Sequence, residues 1–137
     1  MKRIVLSAVL ATSFVSTVAL AGEPKASIVP ELTKATIGQV IEWSKAKTAT
    51  MVDVNDAETR GKFGVIPGAV LLSSSSEYKL TELPADKASK LVFYCANASC
   101  KASDAAARRA QDAGYTVAVL QEGIMGWKKA GQATAKP

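Results

Sequence analysis

Cys95 and Cys100, five positions apart, are the strongest nucleophiles that this sequence offers. The chain holds no histidine. That excludes a Ser-His-Asp triad, a Cys-His pair and any histidine metal ligand, and two cysteines alone cannot fill a structural zinc site. Chemistry must come from the thiols, from carboxylates or from backbone groups, and no cofactor or metal is implied. A thiol attacks as its thiolate, and an unperturbed cysteine is mostly protonated at neutral pH. Cys95 therefore needs donors or positive charge beside it. The following stretch, Ala96-Asn97-Ala98-Ser99-Cys100-Lys101, leads towards a helix. Its inward-facing amides, the dipole of that helix and the Lys101 ammonium are expected to lower the thiol pKa and to hold an anionic substrate. Cys100 has two readings. It is either a small buried residue at the base of the loop, or a resolving cysteine that bridges to Cys95 as a labile disulfide in an oxidising compartment.

The elements that must position Cys95 follow from periodicity. Leu91-Val92-Phe93-Tyr94 is short, apolar and β-prone, and Cys95 stands at its C-terminal end. A helix capped by Ser103 or Asp104 is expected from Ala105 to about Asp112, ended by Gly114. Tyr115 to Leu120 reads as the next strand, and Ile124 to Ala130 as a last helix ended by Gly131. Upstream, Thr36 caps a helix to about Lys47 in which Ile37, Val40 and Ile41 share one face. Thr50 to Val54 and Val70 to Leu72 read as buried strands. Ala57 to Lys62 makes at most a turn or two of helix, Gly64 to Ala69 a loop, and the serine run 73–76 a loop able to line the opposite rim. Strands without polar alternation, separated by helices, indicate an α/β domain: a parallel sheet of about five strands with helices on both faces. Reactive groups in such sheets sit at the carboxyl ends of the strands, where Cys95 is.

The 137 residues suffice for one domain. Residues 1–21 are expected to be a cleavable signal peptide. Lys2 and Arg3 are its basic start, Ile4 to Leu20 its apolar run, and Ala19-Leu20-Ala21 its cleavage site before Gly22. The alternative is a retained membrane anchor, which the hydroxyl residues in the run and the adjacent cleavage site disfavour. Residues 22–35 follow as an extended lead-in, 36–131 as the domain and 132–137 as a C-terminal tail. Without Lys2 and Arg3 the basic residues fall from 17 to 15 against 12 acidic ones, a net charge of +3. The charge is scattered, with no basic stripe interleaved with aromatics, so no nucleic-acid partner is implied. Nor is stable membrane insertion expected once the signal is removed.

Taken together, the motifs resemble those of the rhodanese-like family. Met51-Val52-Asp53-Val54-Asn55-Asp56, followed by Gly64-Val65-Ile66-Pro67-Gly68-Ala69, is similar to that family's paired D-V-R-E and G-H-I-P-G-A motifs. Tyr94-Cys95, Ser103, Ala105-Ala106, Gly114-Tyr115 and Gly123-Ile124-Met125-Gly126-Trp127 resemble its second half, in which G-G-x-x-x-W comes near the end. The likeness spans roughly residues 30–131. It implies a sulfurtransferase in which Cys95 takes sulfane sulfur from a donor such as thiosulfate or a persulfide, becomes a persulfide, and passes the sulfur to a thiophilic acceptor. The resemblance makes Ala96, Asn97, Ala98 and Ser99 the backbone cradle for the substrate and Asp53 a structural brace; the charge of Lys101 adds an assisting cation, and the C-x4-C spacing offers Cys100 as a resolving thiol. The implied partners are a small-molecule donor and acceptor. The expected signal peptide points to the periplasm, with a periplasmic redox protein as a further expected partner.

The chain also departs from that pattern. Asn55 stands where an arginine is common, so a usual structural ion pair is expected to be missing. Val65 replaces the histidine of G-H-I-P-G-A. The loop lacks the glycine and arginine of C-x-x-G-x-R-S and is about two residues longer before Ser103, with Asn97 able to take the left-handed conformation of a glycine. Relatives with C-x5-R loops act on phosphate or arsenate. Lys101 has that spacing from Cys95 but lacks the arginine fork. Arg108 or Arg109 is a candidate for attracting anions to the site mouth, although solvated charge is the default. Trp127 is expected in the core. Two other classes of function stay open: a thiol–disulfide redox protein using Cys95 and Cys100, and a non-catalytic binding module.

Overall fold

A computed structural model describes residues 28–137. The expected signal peptide and the first part of the lead-in lie outside these residues. Strands β1 (Thr33–Ala35), β2 (Ala49–Asp53), β3 (Val70–Leu71), β4 (Lys90–Tyr94) and β5 (Thr116–Leu120) form one sheet in the order β1-β5-β4-β2-β3, every pair parallel. Between them run helices α1 (Ile37–Ala46), α2 (Ala57–Phe63) and α3 (Ala102–Asp112), and α4 (Gly123–Lys129) follows β5. The strand in the lead-in, β1, completes the expected five. It pairs through Thr33 to Ala35 with Ala118 to Leu120 at the sheet edge.

Two cores flank the sheet, because successive strand residues point to opposite faces. On one face Val52, Leu91, Phe93, Val117 and Val119 pack under Ala106, Ala107 and Ala110 of α3, with Cys95 in the same cluster. On the other Met51, Val92, Tyr94, Ala118 and Leu120 meet Val40 of α1 and Ile124 and Trp127 of α4. Such double coverage explains why the strand sequences show no polar alternation.

Thr36 caps α1 as its sequence indicates. Its hydroxyl accepts from the Gln39 amide at 3.3 Å while the Gln39 side chain accepts from the Thr36 amide at 3.0 Å. Helix α3 differs from expectation. It starts at Ala102, three residues early, and Lys101 precedes it without a side-chain cap. Ser103 and Asp104 are inside its first turn: Ser103 is turned inward and buried, and Asp104 pairs with Lys34 at 2.6 Å. Residues 132–137 are not a loose tail. Ala135 forms an antiparallel bridge to Val65 in the loop before β3, and the Trp127 indole donates to Ala133 O at 2.8 Å.

Candidate functional site

Strand β4 is central in the sheet and ends at Tyr94, so the next residue, Cys95, emerges between the ends of β2 and β5. The chain then runs through 96–101 and enters α3. Glycine is required at position 123 to hold this loop. Gly123 has φ +60°, and a Cβ there would lie 2.7 Å from Ala96 O. The close approach lets the first amides of α4 reach the loop: Ile124 N–H donates to Cys95 O at 2.9 Å and Met125 N–H to Ala96 O at 3.0 Å.

Cys95 and Cys100 are joined as a disulfide, with their Cα atoms 6.3 Å apart. Cys95 is 1% exposed, and Cys100 is only partly buried. The Cys95 sulfur lies 3.4 Å from Cys100 O and 3.5 Å from the hydroxyl oxygen of Ser103. Ser103, itself 2% exposed, sits in the first turn of α3, so the sulfur meets a hydroxyl and a helix start together.

The sequence anticipated a ring of loop amides around the sulfur; in the oxidised loop two of them close the turn instead. Cys100 N–H donates to Asn97 O at 3.1 Å, and Ser99 N–H to the Asn97 side-chain oxygen at 3.0 Å. Both amides are therefore spent on closing the loop. Asn97 does not take the left-handed conformation, since Lys47 is the only non-glycine residue with positive φ among the described residues. Its side chain makes the turn instead, as an Asx residue can.

A cavity of about 420 Å³ opens beside the disulfide. Cys95, Ala96, Cys100 and Ala102 form one wall, Asn55, Asp56 and Thr59 another, and Ser73, Ser74 and Ser75 the rim. Of the residues expected to hold substrate, only Ala96 is in this lining; Asn97, Ala98, Ser99 and Lys101 are not, and Lys101 is exposed. Arg108 and Arg109 are also elsewhere. Arg108 donates to Pro30 O, and Arg109 stacks on Tyr78 at 5.4 Å while donating to its carbonyl at 3.2 Å. Among the described residues the lining contains no cation. It does contain Asp56, whose carboxyl accepts from the Thr59 amide at 2.8 Å as the N-cap of α2 and is held below its ordinary pKa mainly by that bond.

The expected loss of an ion pair at Asn55 is corrected by Arg60. Its Nε donates to the Asp53 carboxylate at 3.1 Å, and its NH2 nitrogen to Asp53 O at 3.0 Å and Leu72 O at 2.9 Å. One guanidinium thus ties the ends of β2 and β3 together under the cavity. Asp53 is fully buried and also accepts from the Asn55 amide at 2.7 Å. Beside it, the Tyr94 hydroxyl accepts from Ile66 N–H at 2.9 Å, and burial, with the Asp53 charge next, pushes that phenol above its usual range. Sequence reasoning passed over Arg60 because its motif places the cation two residues after the aspartate, not seven. The available signal was the helical turn from Asp56, which brings Arg60 back over the end of β2.

Residues 36–130 match the sequence model of the rhodanese-like domain. The chain belongs to that family. Over 97 residues it is 34% identical to an HTH-type transcriptional regulator of Mycobacterium tuberculosis, a match covering 70% of this chain and 42% of the regulator. The chain thus matches less than half the length of that relative. The structure is similar to a rhodanese-related protein from Thermoplasma volcanium, with a TM-score of 0.65 at 21% identity over 77% of this chain and 99% of that one. It is also similar to thiosulfate sulfurtransferase from Pseudomonas aeruginosa, with a TM-score of 0.62 at 22% identity over 74% of this chain and 20% of that one. At these identities the two structures establish the shared rhodanese-like fold.

Proposed function

We propose that this protein is an exported sulfurtransferase that carries sulfane sulfur as a persulfide on Cys95. The observation that carries the proposal is the setting of that sulfur. It lies at the carboxyl end of the central strand, on the wall of a polar cavity, with the Ser103 hydroxyl 3.5 Å away at the start of α3. In the reduced protein the hydroxyl and the helix start both favour the thiolate. The thiolate attacks the outer sulfur of the donor. The donor's sulfur–sulfur bond breaks, and its remaining half leaves with the electron pair, as a thiolate from a persulfide or as sulfite from thiosulfate. A thiophilic acceptor then takes the outer sulfur and returns Cys95 as thiolate. Covalent storage divides the transfer into two easier displacements.

The lining favours a persulfide over thiosulfate as donor. Thiosulfate is a dianion, no described residue of the lining is cationic, and Asp56 adds a negative charge. Cys100 acts as the resolving thiol. Its thiolate attacks the inner sulfur of the Cys95 persulfide, hydrosulfide leaves, and the Cys95–Cys100 disulfide forms. That disulfide also favours an oxidising compartment, which supports export by the N-terminal segment and a periplasmic location.

A thiol–disulfide redox protein is the second reading, favoured by the same disulfide. Sulfur transfer to cyanide separates the two. Reduced protein given an alkyl persulfide should form thiocyanate, thiosulfate should serve about tenfold less well for want of a cationic partner, and Cys95→Ser should form none. Insulin reduction without thiocyanate would establish the redox protein instead, and inactivity in both assays would leave a binding module.

A further inference from the structure

We infer that the Cys95–Cys100 disulfide is opened from outside by a dithiol partner attacking Cys100, and that sulfur transfer waits on this step. The inference rests on the proposed use of Cys95 and adds its regulation. Two facts set the direction of attack. Both cysteines line the cavity, but Cys95 is 1% exposed and offers an incoming thiolate far less surface than Cys100, which is only partly buried. The leaving sulfur should also be the one whose thiolate is better held. That is again Cys95, with Ser103 3.5 Å from its sulfur at the start of the 11-residue helix α3.

The partner thiolate attacks the Cys100 sulfur, the bond between the two cysteines breaks, and Cys95 departs as thiolate. The product is a mixed disulfide between the partner and Cys100. A second thiolate of the partner then attacks its own sulfur in that bond and releases Cys100 as thiolate. The partner is oxidised by two electrons, and both cysteines of this chain are reduced. With a monothiol the freed Cys95 thiolate re-closes the bond to Cys100 unless a second thiol molecule arrives first; a dithiol partner outpaces that return because its second thiol is already in place. The loop around the point of attack suits a close protein approach. Ala98 and Ser99 are small, uncharged and exposed, and Met125, 44% exposed, contacts the Asn97 side chain at 3.8 Å. While the disulfide persists, Cys95 is bonded to Cys100 and has no thiolate with which to attack a donor.

The test uses the full chain isolated without reductant. A brief pulse of a monothiol such as cysteamine is followed by acid quenching and alkylation. Both cysteines lie in one tryptic peptide, Leu91 to Lys101, so fragmentation compares them directly. The mixed disulfide should be on Cys100 and the alkyl group on Cys95, by about ten to one or more if access decides. Thiocyanate formation from an alkyl persulfide and cyanide is measured in parallel, before and after reduction by a dithiol. Mixed disulfide mainly on Cys95, equal labelling, two free thiols at the outset, or full transfer by the oxidised protein would each overturn the inference. Labelling on Cys100 with no thiocyanate even after reduction would retain the route of opening and sink the transferase proposal instead.

Discussion

The Ser103 hydroxyl lies 3.5 Å from the Cys95 sulfur, close enough to hydrogen-bond a thiolate there. A hydrogen bond to a charged group contributes about 1.5–3 kcal/mol, which corresponds to one or two pKa units. In a Cys100→Ser background, Ser103→Ala should therefore raise the midpoint of Cys95 alkylation against pH by about one to two units. An unchanged midpoint would show that the hydroxyl does not touch the thiolate. Arg60 makes a different contribution. Its guanidinium pairs with an Asp53 side chain that is wholly buried, and removing one partner of such a pair costs about 3–5 kcal/mol. Arg60→Ala should lower the denaturant midpoint accordingly, and a loss below about 1 kcal/mol would place the pair among weak surface bridges. At this scale Cys95 and Asp53 were legible because motif and strand end coincide on them. Asn55, Asp56 and Thr59 at the cavity and Arg60 at the ends of β2 and β3 were not, because the turn that places them depends on how α2 folds back over β2.

The loop from Cys95 to Lys101 is held as much by α4 as by its own turn. Gly123→Ala would force an L side chain into a left-handed conformation, at about 1–2 kcal/mol, and press its Cβ against the backbone of Ala96. A clear drop in melting temperature, together with loss of sulfur transfer, is expected. Full stability and activity would mean that α4 does not clamp the loop. The strands and helices themselves were legible from apolar runs and caps, as Thr36 with Gln39 shows. Their limits were less so. Helix α3 begins at Ala102, with Ser103 buried beside the sulfur in its first turn, and no local propensity announces that. Asn97 is able to replace a glycine through backbone conformation, yet it closes the turn with its side chain. Local residue preferences leave both solutions open, and the disulfide and the α4 clamp complete the surroundings in which one is adopted.

Over the whole molecule, the two buried cores set how stability responds to alkali. Tyr78 has no exposed surface and donates to Ala106 O at 2.8 Å, and burial raises its phenol to about 12. Tyr94 is raised as well, by burial and then by the Asp53 charge. Above about pH 10 an unfolded chain releases these protons while the folded one keeps them, so the unfolded state binds fewer protons and stability falls as pH rises. Each phenol contributes up to about 1.4 kcal/mol per pH unit in that window. Tyr78→Phe should shallow the decline above pH 10 in denaturant titrations, and an unaltered slope would deny Tyr78 that role. The layered α/β plan was legible from unbroken apolar strands. The docking of residues 132–137 was not, since the partner of Ala135 is Val65, some seventy positions away. All of this architecture bears on one sulfur atom. The most direct measurement is the mass of the Leu91 to Lys101 peptide after the reduced Cys100→Ser protein meets an alkyl persulfide. The gain of a single sulfur atom on Cys95, removed by a reducing thiol, is the expected result. An unchanged mass in protein shown to be folded would contradict a persulfide carrier.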